Sequence, residues 1–243
     1  MTALLPLPGD EVHIWYAWTA QCEGAGLRDA YAALLTPDER ARCARFAFDA
    51  LKAEYLLTRA LCRTVLSRYA PVRPQDWRFE SNAYGRPEIA APLVRPLRFN
   101  LSNARSLVAC AVTSGSDVGI DVEETARSAA PLDIADQFFS AEELAALRAL
   151  PAHEQGARFF DLWTLKESYI KARGLGLQIP LDRFSLRFGE TLGIAIDASL
   201  ADEAADWQFF STRLSGAHTL SLAVRRGANP PYRIRLHEIV PRP

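Results

Sequence analysis

Residues 163–176 read Trp-Thr-Leu-Lys-Glu-Ser-Tyr-Ile-Lys-Ala-Arg-Gly-Leu-Gly, and they decide how the second half of the chain is interpreted. The stretch is predicted to end a long helix over about 154–173. Glycine accepts the left-handed backbone conformation that often ends a helix, so Gly174 and Gly176 mark the terminus.

Glu167 and Lys171 are four residues apart and therefore share one face of this helix. An isolated pair of this kind is typical of an exposed surface and contributes a few tenths of a kcal/mol. Trp163 lies one turn before Glu167 on the same face, where a surface pair would rarely need a large aromatic neighbour. The face is therefore a candidate functional site.

Upstream, Gly-Ile-Asp-Val-Glu at 119–123 is predicted to lie in a strand. Alternation sends the apolar residues to one face and the carboxylates of Asp121 and Glu123 to the other. Taken alone, an Asp-x-Glu sequence is typical of solvated carboxylates. A pair of neighbouring carboxylates is also suited to Mg²⁺, because this ion binds one or two carboxylates together with phosphate oxygens of a substrate.

A third group of residues is suited to phosphate, because guanidinium groups bind phosphate bidentately and hydroxyl or amide groups add neutral donors. Each residue singly is also compatible with an ordinary solvated surface. The group consists of Arg42, Arg45, Arg86, Ser102 and Asn103.

Capping boxes at Thr36 and Ser140 predict two helix starts, and the apolar spacing of 51–69 predicts an amphipathic helix. Alternating runs predict strands at 12–19, 77–80, 97–101, 107–112, 118–122, 184–188, 207–210, 220–224 and 232–239. We therefore expect an α+β fold of two halves, 1–114 and 115–243.

The charge balance excludes a general affinity for nucleic acid, since 28 Lys and Arg face 29 Asp and Glu. No leader peptide or membrane-spanning stretch is visible, so a cytoplasmic protein with no membrane partner is expected. The four cysteines are too widely spaced for a zinc site and are expected to be reduced thiols. Chemistry therefore has to use carboxylates, Lys and Arg.

The motifs, taken in order, resemble the surfactin-type phosphopantetheinyl transferase family. They are Y-G-R-P, F-N-L-S, G-I-D-V-E, F-F-S-x-x-E and W-T-L-K-E-S-Y-I-K-A-x-G-x-G, and they cover about 36–188. The G-I-D-V-E and W-x-x-K-E-S-x-x-K motifs, in this order and roughly forty residues apart, are far more specific together than either alone.

The resemblance implies two similar α+β halves related by a pseudo-twofold, with the active site in the cleft between them. It implies that Asp121, Glu123 and Glu167 hold Mg²⁺, and that Lys171 and Lys166 bind coenzyme A and stabilise the charge that develops in the reaction. Glu167 would also take the proton of the attacking serine. Because a fused pair of halves can complete the cleft alone, a monomer is expected.

By the same resemblance, Arg42, Arg86 and Ser102 bind the nucleotide end of coenzyme A, with Arg45 as a weaker addition. One position departs from the family pattern, because Asn103 stands where a His commonly follows the serine. Asn cannot become a cation, so weaker binding of the 3′-phosphate is expected there.

The implied partner is an apo acyl or peptidyl carrier protein of fatty acid, polyketide or nonribosomal peptide synthesis. The stretch 124–140 would contribute to its contact surface, with Arg127 as the visible basic candidate. Glu143 matches the acid of F-F-S-x-x-E, but it is also the third residue of the Ser140 capping box, and the capping role is preferred.

Two other functions remain open from the sequence. A metal-dependent phosphoesterase would use the same carboxylates, but it needs an activated water. A non-catalytic module that binds coenzyme A or a carrier protein would explain Asn103, although three clustered acids without a cation would then be a burden.

Overall fold

The computed structural model describes residues 4–90, 93, 96–125 and 132–243. The helices of eight or more residues are α1 (Ala25–Ala33), α2 (Pro37–Ala44), α3 (Asp49–Leu66), α5 (Ala141–Arg148) and α6 (Ala152–Arg173), and α4 (Ala135–Phe138) is a single turn. The strands are β1 (Glu11–Trp18), β2 (Phe79–Ser81), β3 (Pro87–Ile89), β4 (Arg98–Ala104), β5 (Leu107–Thr113), β6 (Val118–Glu124), β7 (Phe184–Phe188), β8 (Leu192–Ile196), β9 (Trp207–Ser215), β10 (His218–Arg225) and β11 (Arg233–Glu238). The expected α+β class is confirmed.

The chain divides into two compact units. The first contains the residues up to Ser81 together with Pro87–Gly115 and Arg233–Pro243, and the second contains Asn82–Arg86 and Ser116–Tyr232. The sequence expectation placed 233–243 in the second half. In the structure these residues belong to the first unit, because β11 pairs in parallel with β1.

The first unit is built on a four-stranded sheet in the order β11-β1-β5-β4. All seven residues of β5 are buried, which suits the continuous apolar run of this inner strand. The helix α3 packs on the sheet, and its Leu61 shares a buried core with Trp15 of β1 and Val108 of β5. The predicted helix start at Thr36 is confirmed, since its hydroxyl accepts a hydrogen bond from the Glu39 amide at 3.3 Å.

The second unit packs α6 against β6 and β10 of an antiparallel sheet ordered β6-β10-β9. Leu165 and Tyr169 of α6 share a buried core with Phe184 of β7. The capping box at Ser140 is confirmed, and Gly174 ends α6 with a φ of +67°. Within the described ranges, no helix is long and apolar enough to cross a membrane.

Candidate active site

The carboxylates of β6 face the helix α6. Ile120 and Val122 are fully buried on one face of the strand, and Gly119, Asp121 and Glu123 alternate onto the other. This second face is directed towards α6, because an added Cβ at Gly119 would lie 2.0 Å from the Ser168 carbonyl oxygen of that helix. The backbones of strand and helix therefore meet at this glycine, which stands in the sequence as the first residue of the Gly-Ile-Asp-Val-Glu motif. A glycine inside a strand is itself a signal of such close approach.

On α6, the face that carries Glu167 and Lys171 is a stripe of partly exposed residues. Trp163, Glu167 and Lys171 are each half-buried, and their immediate neighbours Leu162, Lys166 and Ile170 are buried. The three half-buried residues are four positions apart, so they lie on one face of the helix, and this face is only partly covered by neighbouring elements.

The helix and the strand are joined by an ion pair, in which the Nζ of Lys171 donates to Oδ1 of Asp121 at 2.6 Å. Trp163, the large aromatic singled out in the sequence, lies beside the other strand carboxylate and acts to lower the pKa of Glu123 as a hydrogen-bond partner. Asp121 is 5% exposed, so its charge is held in a poorly solvated position beside the Lys171 ammonium.

The ionisation of Glu123 and of Glu167 is shifted by burial and by the charge of Asp121. Burial, followed by the charge of Asp121, raises the pKa of Glu123 to about 7, and Lys171 acts in the opposite direction. The pKa of Glu167 is also raised, by burial and then by Asp121. We name these four electrostatically coupled side chains, Asp121, Glu123, Glu167 and Lys171, the acidic cluster.

The donor set is chemically suited to Mg²⁺, which prefers oxygen ligands, and mutually repelling carboxylates gain from a cation between them. The carboxylates are not, however, arranged as a coordination shell. Across the described ranges, no three His, Cys, Asp or Glu side chains are grouped closely enough to hold a metal ion. Lys171 is the cation that contacts Asp121 in this arrangement.

Lys166 lies apart from this cluster. The residue is fully buried, and its Nζ donates to the carbonyl oxygens of Leu181 and Phe184 at 2.7 Å each. It also contacts Oε2 of Glu143 at 2.7 Å. These three contacts use the three donors of the ammonium, so the expected catalytic and coenzyme A-binding role of Lys166 is corrected to a structural one.

Glu143 has the capping role that was preferred from the sequence. Its carboxylate accepts from the Ser140 amide at 2.9 Å, and the Leu186 amide donates to its other oxygen at 2.8 Å. With Lys166 as its counter-ion, Glu143 connects α5, α6 and β7 inside the second unit.

Arg86 also belongs to the second unit, where its side chain is 8% exposed. Its Nη1 donates to the Ala172 carbonyl oxygen at 2.8 Å, and its Nη2 lies 3.7 Å from Oδ1 of Asp117. This arginine is therefore held at the end of α6, next to the turn that carries Lys171.

The other expected anion-binding residues belong to the first unit. Arg42 and Arg45 are exposed on and just after α2, and the Arg42 guanidinium lies 5.9 Å from the centre of the Tyr55 ring. Ser102 of β4 is buried. Asn103 is exposed and donates a hydrogen bond to the carboxylate of Glu54, whose pKa is raised by burial. The expected carrier contact Arg127 lies outside the described residues.

Comparison with known proteins gives a consistent result. A family model described as the 4'-phosphopantetheinyl transferase superfamily matches residues 117–224. The 4'-phosphopantetheinyl transferase Sfp of Bacillus subtilis is 36% identical over 169 residues, which cover 70% of this chain and 73% of that protein. HetI of Nostoc, another 4'-phosphopantetheinyl transferase, is 36% identical over 71% of this chain and 73% of its own length.

A solved structure, the holo-[acyl-carrier-protein] synthase of Thermotoga maritima, aligns with 46% of this chain and 63% of its own at a TM-score of 0.39 and 17% identity. The assignment rests on the sequence comparisons. The chain is an enzyme of the transferase class, and it belongs to the 4'-phosphopantetheinyl transferase family. The resemblance stated from the motifs is confirmed.

Proposed function

We propose that this enzyme transfers the 4'-phosphopantetheine arm of coenzyme A to a serine of an apo acyl or peptidyl carrier protein, in a Mg²⁺-dependent reaction that releases adenosine 3',5'-bisphosphate. The observation that carries the proposal is the cluster of Asp121, Glu123, Glu167 and Lys171 between β6 and α6. Membership of the family supplies the reaction class.

In the proposed reaction, the serine oxygen of the carrier protein attacks the phosphorus that bears the pantetheine arm. The bond from this phosphorus to the bridging oxygen of the pyrophosphate breaks, and its electron pair leaves with adenosine 3',5'-bisphosphate. Glu167, on the partly exposed face of α6, accepts the serine proton directly or through a water.

Asp121, Glu123 and Glu167 would hold the ion, and a bound Mg²⁺ supplies charge neutralisation at the pyrophosphate oxygens. Lys171 contributes a second positive charge from α6, where it now contacts Asp121 at 2.6 Å. Positive charge aimed at the leaving group accelerates the reaction because negative charge grows there in the transition state.

The nucleotide end of coenzyme A is bound by a second group of side chains in this proposal. Donors for its phosphates come from Arg42, Arg45, Arg86 and Ser102. Asn103 is a poor partner for the 3'-phosphate, since its amide is engaged by the Glu54 carboxylate and it carries no charge of its own.

The test is to incubate the protein with coenzyme A, Mg²⁺ and an apo carrier protein and to measure the mass added to the carrier. Asp121→Ala and Glu167→Ala should abolish the gain, and Glu203→Ala is the matched control because Glu203 is an exposed acid outside the cluster. Full activity in both cluster variants would overturn the mechanism.

The same assay separates the alternatives. A phosphoesterase would release free 4'-phosphopantetheine without any carrier protein. A non-catalytic module would bind coenzyme A and leave the carrier mass unchanged. Comparing kcat/KM across a panel of apo carriers would identify the pathway that the enzyme serves.

A further inference from the structure

The loop Asn82–Arg86 is organised by one side chain. The Oδ1 of Asn82 accepts hydrogen bonds from the backbone amides of Tyr84 at 2.9 Å and Arg86 at 3.0 Å. Gly85 completes the turn with a φ of +86° and donates its amide to the Asn82 carbonyl oxygen at 3.0 Å. An asparagine that accepts from the backbone two residues ahead is a common way to fix a turn.

The other end of the same amide reaches the helix that carries the candidate active-site residues. The Nδ2 of Asn82 donates to the Gly174 carbonyl oxygen at 2.9 Å, and Arg86 of the same loop donates to the Ala172 carbonyl oxygen. The last carbonyl groups of a helix have no partner within it and need one from elsewhere. The loop therefore satisfies two carbonyls at the end of α6.

The same helical turn is also in contact with β6. An added Cβ at Gly119 would lie 2.3 Å from the Ala172 amide nitrogen, so the strand backbone lies directly against the helix. Lys171 is the residue just before Ala172, and its Nζ contacts Asp121 at 2.6 Å. The turn that carries Lys171 is thus in contact with both the strand β6 and the Asn82 loop.

We propose that Asn82 is a positioning residue for the transfer reaction, which acts through the last turn of α6 to fix Lys171 against the acidic cluster. The inference rests on the proposed function, because it gives Lys171 a part in the reaction. Its physical basis is that a displacement of about 1 Å in a reacting group can cost about a hundredfold in rate, so a partial loosening should cost about tenfold.

Asn82→Asp separates the two roles of the side chain. Aspartate keeps the oxygen that accepts from Tyr84 and Arg86, but it has no donor for Gly174 and sets a negative charge against the helix C-terminus. Asn82→Ser is the neutral second variant, because a serine hydroxyl can accept within the turn but is too short to reach Gly174. It keeps the test available if the aspartate variant does not fold.

The matched control is Asn229→Asp. Asn229 is exposed in the same unit, and its Nδ2 donates to the Arg226 carbonyl oxygen at 2.9 Å. This control loses the same kind of hydrogen bond far along the chain from α6. We expect it to keep kcat within twofold of the unmodified enzyme.

The measurement is kcat and the KM for coenzyme A, taken well below the thermal midpoint of each variant. Asn82→Asp and Asn82→Ser should lower kcat about tenfold with KM changed less than twofold. In a Lys171→Ala background, the same substitutions should cost less than twofold, because the residue through which Asn82 acts is gone.

Three results would overturn the proposal: unchanged kcat in both Asn82 variants, a raised KM with unchanged kcat, or the full tenfold loss also in the Lys171→Ala background. Failure of the proposed function is recognised separately. In that case Lys171→Ala alone leaves the transfer rate unchanged, or the unmodified enzyme transfers nothing.

Discussion

Gly119→Ala should be one of the most damaging small substitutions in this protein. The added Cβ would lie 2.0 Å from the Ser168 carbonyl oxygen and 2.3 Å from the Ala172 amide nitrogen. Both are backbone atoms of α6, so no side-chain rotation can relieve the overlap. Real Cβ contacts essentially never fall below 3.0 Å, so strand and helix must separate by at least the difference, about 1 Å.

Two effects of this separation can be given a size. Overpacking of a rigid core costs about 1–3 kcal/mol, and we expect about 3 kcal/mol here because backbone meets backbone. For a chain of this length that is a fall of roughly 6–12 °C in Tm. The same movement draws Asp121 away from Lys171, so kcat for arm transfer should fall about a hundredfold.

The assay combines thermal unfolding with transfer to an apo carrier protein followed by mass spectrometry. Gly193→Ala is the matched control, since Gly193 also lies in a strand of the second unit and an added Cβ there meets nothing within 4 Å. The control should change Tm by less than 2 °C, because a shift of that size corresponds to less than about 1 kcal/mol of unfolding free energy. If Gly119→Ala matches the control in both Tm and kcat, the close contact between β6 and α6 is not what positions the cluster.

Three further outcomes are expected. Lys166→Met should lower the unfolding free energy by about 3–5 kcal/mol, because the Glu143 carboxylate stays buried without its cation, and adding Glu143→Gln should recover part of the loss. The kcat of the folded Lys166→Met variant should stay within twofold of that of the unmodified enzyme, and a tenfold lower kcat would support a catalytic role for Lys166. Asn103→His should lower the Kd of coenzyme A in calorimetry, most clearly below pH 6.5 where the imidazole is charged, and unchanged or weaker binding would count against a phosphate contact at this position. The hydrogen bond to His13, with Arg235 and Arg233 nearby, lowers the pKa of Glu11 from 4.5 to about 2, so its stabilising contribution is complete above pH 4.5 and is lost as the pH falls towards 2. Urea midpoints of Glu11→Gln should therefore fall less steeply than those of the unmodified protein over this range, and parallel curves would contradict the assignment.

Local sequence signals determined much of the fold. The capping boxes at Thr36 and Ser140 and the glycine at 174 fixed helix ends because each acts within one turn of the chain. The helix α1 gave no such signal, because its N-cap is Gly24 and no side chain caps it. The short strands β3 and β8 were missed too, since three to five residues offer little alternation to recognise.

Part of the candidate site also followed from the sequence. Helical spacing put Glu167 and Lys171 on one face, and strand alternation put Asp121 and Glu123 on one face, because side-chain direction repeats with backbone geometry. The family resemblance then brought the two faces into one site. Neither spacing nor resemblance showed that Lys166, the neighbour of Glu167, is a fully buried partner of Glu143.

Only the tertiary structure decided which elements cover these faces. The pairing of β11 with β1 joins residues more than two hundred positions apart, and the hydrogen bond from Asn82 to Gly174 spans 92 positions. Periodicity along a chain fixes which side chains share a face, but it carries no information about what packs against that face. That choice is made by long-range packing, which is why Asp121 and Lys171 could be named from the sequence while their 2.6 Å contact could not.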